Sequence, residues 1–204
     1  VIGVLPGTGD RFIIVGAHFD HLGYGPTGSR WGQGKIHPGA DDNATGTTLV
    51  IEIADRLGKM KYRPKHTLVF IAFSGEEMGL IGSKYYVQNP IFPLNRLDFM
   101  FNTDMIGRMN GKTSLRVGGS AKLNPFMERL NRSHPIKMMA DGTAGGGSDH
   151  APFGEKNIPS GCFHSGMHND YHTPSDSADR IDYDGMHKVV RYVFDLVIET
   201  DQMP

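Results

Sequence analysis

The stretch HTLVFIAFSGEE, residues 66–77, constrains the fold more than any other. From Leu68 to Phe73 it is apolar without a break, and two glutamates, Glu76 and Glu77, follow almost at once. A strand with no polar alternation must be covered on both faces. Covering both faces takes helices on each side of a sheet, and the rest of the chain supplies them. The segment ATGTTLVIEIADRLGKM places Leu49, Val50, Ile53, Ala54 and Leu57 on one helical face. MGLIGSKYYVQ reads as a helix stopped before Pro90, LNPFMERLNRS as a short one, and DGMHKVVRYVFDLVIET as a long terminal one capped by Asp182 or Asp184. Between them lie strand candidates in VIGVLPGTGDRFIIVGAH, LDFMFNTD, SLRVGG, IKMMA and IPSGCFH. Strands alternating with helices predict an α/β fold, a three-layer α/β/α sandwich with a mixed, mostly parallel central sheet.

Ligands of such sheets bind beyond the carboxyl ends of the strands, and polar residues gather there in this chain. AHFDH closes the second strand, FSGEE the third and NTD the fourth, while GGGSDH and NDYHTPSD fall in later loops. His18 and Asp20, two apart, share one side of a strand, the arrangement of an imidazole backed by a carboxylate. Glu76 and Glu77 abut a buried strand, where two ionised carboxylates need cations or protons. Asp104 ends another apolar strand, and His172 precedes Thr-Pro on a loop. Each residue alone has a bland reading: a hydrogen-bonded histidine, glutamates opening a helix, a solvated loop imidazole. Together they crowd acids and imidazoles at one end of a sheet, where their repulsion destabilises the fold unless divalent cations offset it.

The donors are imidazole and carboxylate without thiolate, which suits Zn²⁺, with Mn²⁺ or Co²⁺ as substitutes. Two histidines and three carboxylates exceed one tetrahedral catalytic site and suit two cations sharing a carboxylate. GADDNATG supplies adjacent aspartates, Asp41 and Asp42: one can bridge while its neighbour caps the helix or orients the loop.

Composition excludes several classes. The 204 residues carry 21 basic against 22 acidic side chains, with no basic block for nucleic acid. No apolar run is long enough to span a membrane. The one cysteine, Cys162, forms no internal disulfide and no thiolate cage. Gly23, Gly25 and Gly28 match G-x-G-x-x-G, but no helix opens there, which weakens a dinucleotide reading. Asn43 fits a glycosylation sequon, but a glycan beside a metal site would block it. The length predicts one domain, residues 1–204. An opening at Val1 rather than Met leads to the expectation of a piece of a longer precursor whose targeting segment is missing.

The motifs VGAHFDH, HPGADDNATG, FIAFSGEEMGLIGS, NTDMIG, SDHAPF and YHTPSD stand in the order seen in the bacterial di-zinc aminopeptidases, the leucyl aminopeptidase-like zinc peptidases. The chain resembles that family, which is related to glutamate carboxypeptidase, the transferrin receptor and glutaminyl cyclase, over nearly its whole length. The resemblance implies a sheet of about eight strands and two zinc ions. One ion would be held by His18 and Asp104, the other by Glu77 and His172, with Asp42 as the bridge and Asp41 as the runner-up. It implies Glu76 as general base, Asp20 as support for His18, and Asp149 in similar work near His172. It also implies Tyr171 as an oxyanion donor. Met105 and Phe163 are expected at the rim, facing an apolar first side chain of a peptide with a free N-terminus. The helices that family members carry before the first strand are not in this sequence. Rival readings are a cyclase, a carboxypeptidase gripping its substrate through Arg30, Arg108 or Arg116, and a binding domain without catalysis. The sequence leaves the oligomeric state open.

Overall fold

The computed structural model describes residues 1–140 and 147–203. Gly145 and Gly146 of the GGGSDH motif lie outside the described residues. The strands are β1 (Ile2–Leu5), β2 (Phe12–His18), β3 (Thr67–Phe73), β4 (Leu97–Thr103), β5 (Ser114–Gly119), β6 (Lys137–Ala140) and β7 (Ser160–His164). The helices are α1 (Gly46–Lys59), α2 (Ile81–Gln88), α3 (Asn124–Leu130), α4 (Ala151–Glu155) and α5 (Tyr183–Asp201).

Among the described residues the strands form one sheet in the order β1-β3-β2-β4-β7-β5-β6. Pairings β2–β3, β2–β4, β4–β7 and β5–β6 are parallel, whereas β1–β3 and β5–β7 are antiparallel. β2 is buried along its whole length and splits its side chains between two cores. Ile13, Val15 and Ala17 join Leu49 and Ile53 of α1 and Val193 and Val197 of α5. Phe12 and Ile14 pack on the other face with Tyr86 and Val87 of α2 and Phe153 of α4. Two apolar layers on opposite faces of one sheet are what an unbroken apolar strand requires.

The terminal helix is capped by Asp182, whose carboxylate accepts the Gly185 N–H at 2.9 Å. Asp201, at its other end, is fully buried and accepts the His66 N–H at 2.7 Å and the Tyr62 hydroxyl at 2.7 Å. His66 lies 3.0 Å from Asp98, which Arg11 also grips. Burial alone would push the Asp98 carboxyl up, yet Arg11, with His66 adding to it, holds it below the ordinary carboxylate range. This network ties α5 to the start of β3 and β4, leaving the opposite strand ends for the site.

Candidate metal centre

Parallel pairing brings three polar strand ends side by side. His18 ends β2 opposite Phe73 of β3, and Gly16 lies opposite Asn102 of β4. Glu76 and Glu77 occupy the turn after β3, ahead of α2, so they do not open the helix. Asp20 holds that turn: its two carboxylate oxygens accept the Glu76 and Glu77 N–H groups at 3.2 and 3.4 Å. The expected carboxylate support of His18 is therefore corrected. His18 Nδ1 bonds the Asp20 backbone carbonyl at 3.1 Å, and the carboxylate stands 3.9 Å away.

The two aspartates of GADDNATG part company. Asp42 Oδ1 lies 3.4 Å from His18 Nε2, and Asp42 Oδ2 lies 3.1 Å from His172 Nε2. Asp104 lies 3.5 Å from His18 Nε2, and Glu77 Oε2 lies 3.2 Å from His172 Nε2. Asp41 turns away and accepts the Gly107 N–H at 2.6 Å, with His168 Nε2 at 3.1 Å from its other oxygen. Neither aspartate caps α1. Asn43 does that work, its side-chain oxygen accepting the Gly46 N–H at 3.0 Å while its amide donates to Thr103 O at 2.9 Å. Those bonds and near-complete burial leave no room for a glycan on Asn43. The Asp42–Asn43 peptide is cis.

His172 sits in the left-handed region at φ 57, as does Met105 at φ 58, a conformation that costs a non-glycine residue energy and is often found at functional sites. The glycine-rich loop of residues 22–39 holds it there. His172 Nδ1 bonds the Gly28 carbonyl at 2.9 Å, and the His172 carbonyl accepts the Arg30 N–H at 2.9 Å. The Tyr171 ring stacks on the His172 imidazole with centroids 3.7 Å apart.

Burial and charge pull the groups of the cluster in opposite directions. Burial alone would push the His18 imidazole down, but Asp104, Glu76 and Asp42 hold it up at about 11. His172 is held at about 10, against burial, by Asp42 and Glu77. Burial pushes Glu76 up to about 8, with Asp104, Asp149 and Glu77 adding to the effect and His18 opposing it. Burial would also raise Glu77, yet His172 and His21 bring it down to about 2. The Nε2 atoms of His18 and His172 are buried near these carboxylates, but none is aligned for a hydrogen bond. Donors that face one another at 3.1–3.5 Å without aligning fit convergence on a shared cation. Among the described residues, ligand atoms of His18, Glu76 and Asp104 lie within 4.8 Å of one another, as do those of His21, Asp42 and Glu77.

Residues 1–197 match the peptidase family M28. The chain belongs to that family. Aminopeptidase YwaD of Bacillus subtilis is 34% identical to this M28 chain over 180 residues, 83% of this chain and 36% of YwaD. Leupeptin-inactivating enzyme 1 of Streptomyces exfoliatus is 30% identical over 167 residues, 78% of this chain and 34% of that protein. The structure of BSAP, a zinc aminopeptidase from Bacillus subtilis, superposes with a TM-score of 0.82 at 29% identity, covering 98% of this chain and 49% of BSAP. Glutaminyl cyclase of Porphyromonas gingivalis shares the fold, with a TM-score of 0.80 at 20% identity over 98% of this chain and 76% of the cyclase. The chain thus spans about a third of the sequence relatives and half of BSAP.

Around the centre, a cavity of about 230 Å³ is lined in part by Asp42, Glu76, Asp104, Met105, Cys162, Met167 and Tyr171. Phe163 is a correction. It is fully buried in the core beside Phe101, and its neighbours Cys162 and His164 line the cavity instead. Asp149 is fully buried, and burial pushes it up to about 6, with His18 opposing and Asp104 and Asp20 adding to the effect, so it feels the His18 end of the centre. Arg108 is spent on ion pairs with Asp170 and Asp176, both at 3.0 Å, and cannot grip a substrate carboxylate. His21 and His168 were not singled out in the sequence. His21 stood in plain view in AHFDH, where the HFD pairing drew attention first.

Proposed function

We propose that this M28 chain carries the catalytic centre of a zinc aminopeptidase holding two ions, with Asp42 bridging them. One observation carries the reading: Asp42 offers one oxygen to the His18 end and the other to the His172 end. His18 and Asp104 would complete one site, and Glu77 and His172 the other. The ions would supply a Lewis acid for the scissile carbonyl and a water molecule of lowered pKa.

The remaining work falls to the chain. Glu76 lines the cavity; in its ionised form it takes a proton from the water and returns it to the leaving amine. Burial and the nearby carboxylates push the Tyr171 hydroxyl up, keeping it protonated. It then donates a hydrogen bond to the oxyanion as charge develops. The free ammonium of a peptide N-terminus fits the anionic cluster of Asp104, Glu76 and Glu77. Met105, Cys162 and Met167 give the first side chain an apolar wall. The substrate is thus a peptide with an unblocked N-terminus, and export of the protein fits that substrate.

The test is a turnover panel of free and N-acetylated aminoacyl amides with metal counted in the same sample. Hydrolysis of the free amides alone, two ions per chain and loss of activity on chelation are expected. Equal turnover of blocked substrates would refute the N-terminal selection, and a single ion with cyclisation of N-terminal glutamine would replace the reading with a cyclase.

A further inference from the structure

His21 lies next to the Glu77 end of the centre and has been given no role so far. Its side chain is 8% exposed, and its Nδ1 lies 2.8 Å from Glu77 Oε1 and 3.9 Å from Asp42 Oδ2. Its ring meets that of His172 edge-on, with centroids 5.6 Å apart. The chain makes room for it. Gly39 holds φ +63, and a β-carbon there would fall 2.5 Å from His21 Cγ, so the position behind the ring is fit for glycine alone.

The three imidazoles differ in how they face the carboxylates. His18 and His172 turn Nδ1 to a backbone carbonyl and Nε2 toward the acids. His21 is reversed: Nδ1 meets the carboxylate, and Nε2 is buried with no hydrogen-bond partner among the described residues. A carboxylate only accepts, so Nδ1 carries the proton. The neutral tautomer then leaves a bare lone pair at Nε2 in place of an orphaned N–H. Glu77 thus divides its oxygens, Oε1 to His21 and Oε2 toward His172.

We propose that His21 is a positioning residue for the second ion. Its Nδ1–H holds Glu77 Oε1, which leaves Oε2, beside His172 Nε2, as the oxygen that would be offered to a cation. The proposal rests on the two-ion reading above. A partner that orients a ligating carboxylate typically governs tenfold to hundredfold in metal affinity. His21 therefore sets how tightly the second ion is held relative to the first, without touching either.

The experiment compares the wild-type chain with His21→Ala and His21→Asn, whose amide can place a donor where Nδ1 stands. Each protein is stripped of metal and titrated with zinc against a competing chelator. Each is then loaded with ¹¹³Cd for NMR, and wild-type zinc protein is measured by X-ray absorption. His21→Ala should weaken one of two ions tenfold to hundredfold and move one of two cadmium resonances, while the melting temperature of the stripped protein stays near wild type. His21→Asn should recover most of the affinity. Wild-type affinity for both ions in His21→Ala overturns the proposal, as does equal weakening of both. Three imidazoles counted over two zinc ions overturns it too, because His21 would then be a ligand. If the wild type itself takes up fewer than two ions, the two-ion reading fails first, and this inference falls with it.

Discussion

Replacing Glu76 by glutamine should have opposite effects on turnover and on the stability of the metal-stripped protein. Glutamine keeps the shape, and the Asp20 contact is to the residue 76 backbone N–H, so the turn survives. Loss of the proton carrier should cut kcat by about 10²–10⁴, which is roughly 3–5 kcal/mol in the barrier. Stability moves the other way. Burial, with the charges of Asp104, Asp149 and Glu77, lifts the Glu76 carboxyl from 4.5 to about 8. A carboxyl held above its unfolded value binds more protons folded than unfolded between those limits, so stability falls as pH rises through that window. At about 1.4 kcal/mol per pH unit the full penalty is roughly 5 kcal/mol. Glu76 is partly exposed, and solvent screening brings this to on the order of 2–3 kcal/mol. Urea unfolding of the stripped proteins should therefore show Glu76→Gln more stable than wild type at pH 9 and equal to it near pH 4. A glutamine variant with wild-type turnover would refute the proton-transfer role. One no more stable than wild type at pH 9 would refute the electrostatic account of the site.

Tyr171→Phe should lower kcat about a hundredfold with little change in KM, as measured on a free aminoacyl amide. Asp201→Ala removes the acceptor of the Tyr62 hydroxyl and of the Lys65 and His66 N–H groups, the last of them buried, and urea unfolding should show a loss of about 1–3 kcal/mol with kcat of the folded protein unchanged. Asp98 is held below its unfolded value, so its contribution is present above pH ~4 and lost as pH falls. Asp98→Asn should therefore cost about 1 kcal/mol or less at pH 7, a cost that shrinks as pH falls below about 4.

Much of this architecture was legible because strands and helices alternate and the polar residues gather where strands end. The apolar run before Glu76 and the one-faced pattern of α1 and α5 each had a single sensible reading. What stayed hidden depended on phase and on backbone. Alternation along IPSGCFH puts Cys162 on one side with Ser160 and His164 and leaves Phe163 on the other, so the phase that faces Cys162 to the cavity was carried only by its two polar neighbours. HFD suggested side chain on side chain, but β2 ends at His18, and beyond it the Asp20 carbonyl reaches the ring first. The choice between Asp41 and Asp42 turned on the geometry of an irregular turn, and the family resemblance ordered them before the structure could. α4 has five residues, too few to show a helical period.

His18 is seated at the end of a strand of the sheet, while His172 depends on the Gly28 carbonyl of a largely exposed loop. Surface loops accept sequence change at small energetic cost. The two halves of the centre therefore answer to different constraints. Drift or engineering within residues 22–39 can reposition the His172 imidazole while that of His18, built into the sheet, stays as it is.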